Sequence, residues 1–152
     1  MGNVADFDAM MWEARFNEPD GGKQYYAHLS NFRPKSLGKG CTIHSHVWVG
    51  DDVTIGDNVK IQAFTFIPNG VTIGNNVFIG PHVCFTNDKK PPSDTLSTTV
   101  VGDGAAIGAN STILPGITIG EGAMIGAGSV VTKSIPPGET WFGNPARKYE
   151  RD

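Results

Sequence analysis

The chain has 152 residues, 18% of them charged, and a net charge of −3 spread along its length. That size fits one domain, and the lack of any basic block excludes a nucleic-acid or acidic-membrane partner recognised through charge. No apolar run reaches membrane-span length and no basic-then-apolar leader opens the sequence, so a soluble, cytoplasmic chain with no membrane partner is expected. Cys41 and Cys84 fit neither a disulfide framework nor a metal knuckle.

In chain order, residues 1–34 form an extension. Val4, Phe7, Met10, Met11 and Phe16 recur at near-helical spacing behind Asp6 and Asp8, which predicts a short amphipathic helix. Its expected place is over the open end of the repeat region, where strand edges would otherwise be unpaired.

Residues 35–135 repeat a six-residue phrase: VWVGDD, VTIGDN, VTIGNN, VFIGPH, AAIGAN, ITIGEG, AMIGAG. The third place is held by Ile43, Val49, Ile55, Ile61, Ile67, Ile73, Ile79 and Phe85, then by Val101, Ile107, Ile113, Ile119, Ile125 and Val131. Places one and three share one face of a short strand and place two the other, because side chains alternate with period two. Gly recurs at place four, followed by Asp, Asn or Gly, residues suited to tight corners. Three strands and three corners close a triangular coil of eighteen residues, and stacked coils make an all-β, left-handed parallel β-helix with a narrow aliphatic core.

The rhythm breaks between Phe85 and Val101, which are sixteen residues apart where twelve would hold the frame; four extra residues are expected in Lys89–Thr98, in a loop spanning 86–98. A loop that replaces one side of a coil aligns Trp48, Phe66, Cys84, Ala106 and Met124 as one outward stripe, and Thr54, Thr72, Thr112 and Val130 as another. The first stripe is apolar enough to suggest an oligomer contact. Residues 136–152 then leave the repeat as a tail through Pro136 and Pro137.

Function is sought at the loop, since loops on rigid frames carry it most often. One neighbouring edge is unusual too: His44 and Gln62 stand where place four is otherwise Gly, and place six gives His46, Phe64 and His82, one coil apart. Large side chains at these corners point to a ligand along the edge. For His46 an ordinary hydrogen-bonded surface role suffices; His82 is a candidate for chemistry.

The prism, the extruded loop and the tail GNPARK resemble the left-handed β-helix acyltransferases. The run KIQAFTFIPNGVTIGNNVFIGPHVCFTNDKKPPS is similar to the nucleotide-sugar N-acetyltransferases that act on a 3-amino sugar. The resemblance covers about 38–148. It implies a homotrimer, with acetyl-CoA lying between adjacent prisms and a UDP- or dTDP-linked amino sugar meeting it near the loop, in the service of surface polysaccharide (lipopolysaccharide) synthesis and with no metal. Asn87 matches the family asparagine that contacts the sugar amine, and His82 is a base or hydrogen-bond partner. His44, Gln62, Phe64, Asp88, Lys89 and Lys90 are placed toward the substrate. For coenzyme A the resemblance implies Gly108 and Gly126 along the pantetheine arm. Lys133, Arg147 and Lys148 fall at the phosphates, with Asn144, Pro145 and Ala146 at the adenine. The chain departs from the family at Pro92, where Arg is common, and at His82, where Asn is common.

Other readings are an O-acetyltransferase, a carbonic anhydrase-like zinc site and a scaffold without catalysis. The zinc site is disfavoured because His46 and His82 are two coils apart with Phe64 between them, too far to converge on one ion.

Overall fold

A computed structural model describes residues 31–151. The helix expected within residues 1–34 therefore falls, over 1–30, outside the described residues.

Each repeat supplies a strand of two or three residues, and partners lie eighteen residues apart in parallel: Trp48 beside Phe66, Thr54 beside Thr72, Lys60 beside Phe78. Three parallel sheets result, which we call faces I, II and III. Face I runs through Ser36–Leu37, Thr54–Ile55, Val71–Ile73, Thr99–Val101 and Thr118–Ile119. Face II runs through Thr42–Ile43, Lys60–Ile61, Phe78–Ile79, Ala106–Ile107 and Met124–Ile125. Face III runs through Trp48–Val49, Phe66–Ile67, Cys84–Phe85, Thr112–Ile113 and Val130–Val131. This is the parallel β-helix read from the repeat. The place-three side chains are all buried, Ile61, Ile67 and Phe85 among them fully, and each such burial stabilises by about 1.5–3 kcal/mol.

The corners divide their labour more finely than the repeat suggests. Positive φ falls at place six, for example in Gly40, Asn58, Asn76 and Gly104. Place four needs Gly for a different reason: a Cβ on Gly56 would lie 2.7 Å from the carbonyl carbon of Gly74 in the next coil. The coils stack too closely there for any side chain.

Two expectations are corrected. Val71 pairs with Thr99, 28 residues on rather than eighteen, so ten residues are inserted and not four. The insertion also replaces no side, since Cys84–Phe85 lies on face III and Thr99–Val101 follows on face I. The sixteen-residue gap is thus one hexapeptide plus ten. Consequently the outward stripe on face III reads Trp48, Phe66, Cys84, Thr112 and Val130, while Ala106 and Met124 belong to face II behind Phe78.

The C-terminal residues do not simply leave. Thr140–Gly143 adds to face II beside Met124–Ile125, and Ala146–Lys148 folds back antiparallel on it around a cis Asn144–Pro145 bond. Lys148 Nζ meets Glu139 at 2.9 Å, and the Trp141 indole N–H donates to the same carboxylate at 2.8 Å. No helix among the described residues is long and apolar enough to cross a membrane.

Candidate active site

The loop rises from the edge between faces III and I. Its neck is closed by the Ser97 N–H donating to the Asn87 carbonyl at 2.7 Å, and the Asn87 side-chain NH₂ donates to the Asn69 carbonyl one coil below at 3.0 Å. Asn87 is therefore pinned by its nitrogen, with its Oδ1 left as an acceptor. Asp88 accepts from the N–H groups of Lys90 and Ser93 and from the Ser93 hydroxyl, which shapes the loop. Desolvation, the largest single influence, would raise the carboxyl's pKa, but these hydrogen bonds together outweigh it and hold the group below the ordinary aspartate value. Lys89 and Lys90 are both exposed, and the Lys89 side chain bends back over Gly116, whose missing Cβ leaves it room.

Beneath the loop lies an open groove of about 690 Å³. Thr86, Asp88, Lys89, Leu114, Pro115, Gly116, Ile117, Thr132, Lys133 and Ser134 line it. Lys89 and Lys133, the Asp88 carboxylate and the hydroxyl residues Thr86, Thr132 and Ser134 thus border an apolar strip. The two ammonium groups outnumber the one carboxylate, which suits a ligand that is part anionic and part hydrocarbon. The structure brings Lys89 and Lys133 together here, although the sequence pattern assigns them to different ligands. Thr86, Leu114, Gly116, Thr132 and Ser134 are additions to the residues expected from sequence; the signal for them is Thr86, Leu114 and Thr132 at place four, where Gly is the rule.

His82 is elsewhere. It sits on the edge between faces II and III, at the opposite end of strand Cys84–Phe85 from Asn87. Five extended residues span about 16 Å, so the two do not meet within one chain. On that edge His46, Phe64 and His82 form a ladder of stacked rings, with centroids 5.0 Å apart at each step. All three have φ near +60° (58°, 63° and 59°), a conformation that costs a residue with a Cβ roughly 1–2 kcal/mol. His44 and Gln62 lie on the same edge at place four, and Thr65 donates its buried hydroxyl to the Gln62 carbonyl at 2.8 Å.

The residues expected to contact the coenzyme are partly occupied by the protein itself. A Cβ on Gly108 would run into the backbone nitrogen of Ala127, and one on Gly126 would lie 2.7 Å from Phe142 Cβ, so stacking of the chain requires both glycines. Lys148 is paired with Glu139, and the Arg147 guanidinium donates to the Ala146 carbonyl at 3.0 Å. Asn144, Pro145 and Ala146 make the hairpin turn, with Ala146 buried. No group of three or more His, Cys, Asp or Glu among the described residues could hold a metal ion.

The bacterial transferase hexapeptide model (six repeats) matches residues 52–87 and 98–133, on either side of the loop. The chain belongs to the hexapeptide-repeat family. A UDP-3-O-acylglucosamine N-acyltransferase from Caulobacter sp. (strain K31) is 36% identical over 120 residues, 79% of this chain, which spans 27% of that relative's length. Among solved structures, a variant of perosamine N-acetyltransferase from Caulobacter crescentus, in complex with CoA and GDP-perosamine, has a TM-score of 0.72 at 25% identity. It covers 95% of this chain and 64% of its own. A serine acetyltransferase from Neisseria gonorrhoeae is 33% identical with a TM-score of 0.61, covering 69% of this chain and 40% of its own. The family match stops at residue 87 and resumes at 98, so this hexapeptide-family chain carries its loop as an addition to the shared repeat.

Proposed function

We propose that the chain is an acetyl-CoA-dependent N-acetyltransferase acting on the 3-amino group of a nucleotide-linked amino sugar. It would work as a homotrimer in the cytoplasm, supplying surface polysaccharide synthesis. The observation that carries this reading is the groove under the loop, where Lys89 and Lys133 flank an apolar strip beside the pinned Asn87. Coenzyme A has that chemistry, phosphates joined to a pantetheine arm, and relatives with the same architecture hold CoA in their structures.

The reaction joins the sugar amine nitrogen to the acetyl carbonyl carbon and breaks the carbon–sulfur bond. The amine loses one proton, and the thiolate leaves as a thiol. Much of the rate comes from holding an unprotonated amine against the thioester. Asn87 Oδ1 accepts one N–H of the amine and so aims its lone pair. His82 of a second copy takes the proton or holds the sugar. That role requires the II/III edge of one prism to face the III/I edge of another. Partly exposed Trp48, Phe66 and Phe78, on the two faces that meet at the II/III edge, support a covered surface there.

The test is thiol release from acetyl-CoA across a panel of nucleotide-linked amino sugars, with mass measured by light scattering. Asn87→Ala is expected to cut kcat about tenfold or more with an unchanged fold; wild-type turnover would remove Asn87 from the mechanism. A monomeric mass would sink the shared site. The serine acetyltransferase likeness favours one second reading, O-acetylation, which the same assay detects as turnover of hydroxyl acceptors alone.

A further inference from the structure

We propose that Phe64 is a positioning residue: its two faces hold the imidazole planes of His46 and His82, and it serves the site through His82 rather than by stacking on a ligand. This deepens the function proposed above, on which its catalytic part rests. Phe64 is 52% exposed, so burial does not explain an aromatic residue there. Its backbone is in the left-handed region, where glycine or asparagine stands on the I/II edge at Asn58, Asn76 and Gly104. The compensation visible in the structure is the ring stack. Phe64 lies 5.0 Å from each imidazole, tilted by only 15° and 13°. That step matches the spacing of successive coils, about 4.8 Å, so rings standing square to the prism axis meet face to face.

Both π faces of Phe64 are therefore taken, and a nucleobase has only its rim to touch. His82, in contrast, tops the ladder, since the next coil presents Asn110 and the one after it Gly128, neither of which carries a ring. Among the described residues Phe64 is the ring stacked on His82. The stack fixes the imidazole plane and keeps its nitrogens at the rim, while Phe64 itself, having no donor or acceptor, competes for none of their hydrogen bonds.

The experiment compares wild type with Phe64→Leu, which keeps bulk but removes the ring, and Phe64→Tyr, which restores one. The readouts are the His82 and His46 imidazole proton resonances and the split between kcat and KM. In Phe64→Leu the imidazole resonances should move downfield as the ring current is lost, and kcat should fall by about tenfold with KM little changed. Phe64→Tyr should return both. Unmoved resonances in Phe64→Leu would overturn the stack. A rise in KM alone would overturn positioning and make Phe64 a ligand contact. Wild-type protein inert toward every amino sugar would refute the transferase reading and the catalytic part of this proposal, while the resonances would still decide the stack.

Discussion

Two edges of one prism meet the same geometric demand with different chemistry. Along the I/II edge place four is Gly at 38, 56, 74, 102 and 120, and place six is Gly or Asn. Place five forms a side-chain ladder there, in which Asp57, Asn75 and Asp103 each accept the N–H one coil below, at 2.7–2.8 Å. These three side chains serve stacking. Along the II/III edge the two lowest coils carry His44 with His46 and Gln62 with Phe64, the next keeps Gly80 but has His82, and the upper ones have Gly108 with Asn110 and Gly126 with Gly128. The costlier II/III corner is the one to which the proposed function assigns His82.

The largest expected effect tests the cheap edge. Gly56→Ala puts a Cβ 2.7 Å from the Gly74 carbonyl, in backbone that has nowhere to move, and should cost about 1–3 kcal/mol in urea unfolding. A neutral result would mean that the coils can separate, and glycine at place four would lose its explanation.

A smaller effect separates the edges directly. Asn58→Gly relieves left-handed strain with little lost, and should raise stability by about 0.5–1 kcal/mol. Phe64→Gly relieves about 1–2 kcal/mol of strain but removes two ring contacts of about 0.5–1.5 kcal/mol each. The net should lie near zero. If Phe64→Gly stabilised the protein clearly more than Asn58→Gly does, the rings would contribute nothing in solution.

Much of this contrast is legible in the sequence. Aliphatic side chains at every place three but Phe85 require the prism, and His44 with Gln62 breaks the glycine rule in plain view. The loop is harder. Inside 86–98 no residue marks the hexapeptide frame, so one repeat plus ten residues looks the same as two repeats plus four. The wrong choice between them moves Ala106 and Met124 to the wrong face. Separately, His82 and Asn87 neighbour each other in sequence but stand at opposite ends of the strand Cys84–Phe85. The closing hairpin escapes for a related reason: Thr140–Lys148 pairs antiparallel, and period six says nothing about it. The groove is half visible, through Thr86, Leu114 and Thr132 at place four.

The smallest expected effect concerns that hairpin, which closes the upper end of the II/III edge by laying Phe142 over Gly126. Glu139 is held below its ordinary carboxylate pKa, first by the Trp141 indole N–H and next by Lys148. Its contribution is therefore present above the unfolded value and lost as pH falls through the lower, folded one. Lys148 is raised in turn by Glu139, so its contribution persists from neutral pH until alkaline pH passes the raised value. Between those limits the Trp141 indole proton should exchange slowly, and acidification below the usual carboxylate range should speed it. Lys148 is exposed and Glu139 half-buried, so salt should weaken the lysine's share and leave the indole hydrogen bond nearly intact. Accordingly Trp141→Phe and Lys148→Met should each move the acid transition of Glu139 toward the ordinary value, as read from the carboxyl carbon resonance, and only the Lys148→Met shift should shrink when it is measured at high salt. An unmoved transition in Trp141→Phe would show that charge pairing, rather than the indole hydrogen bond, fastens the hairpin to this edge.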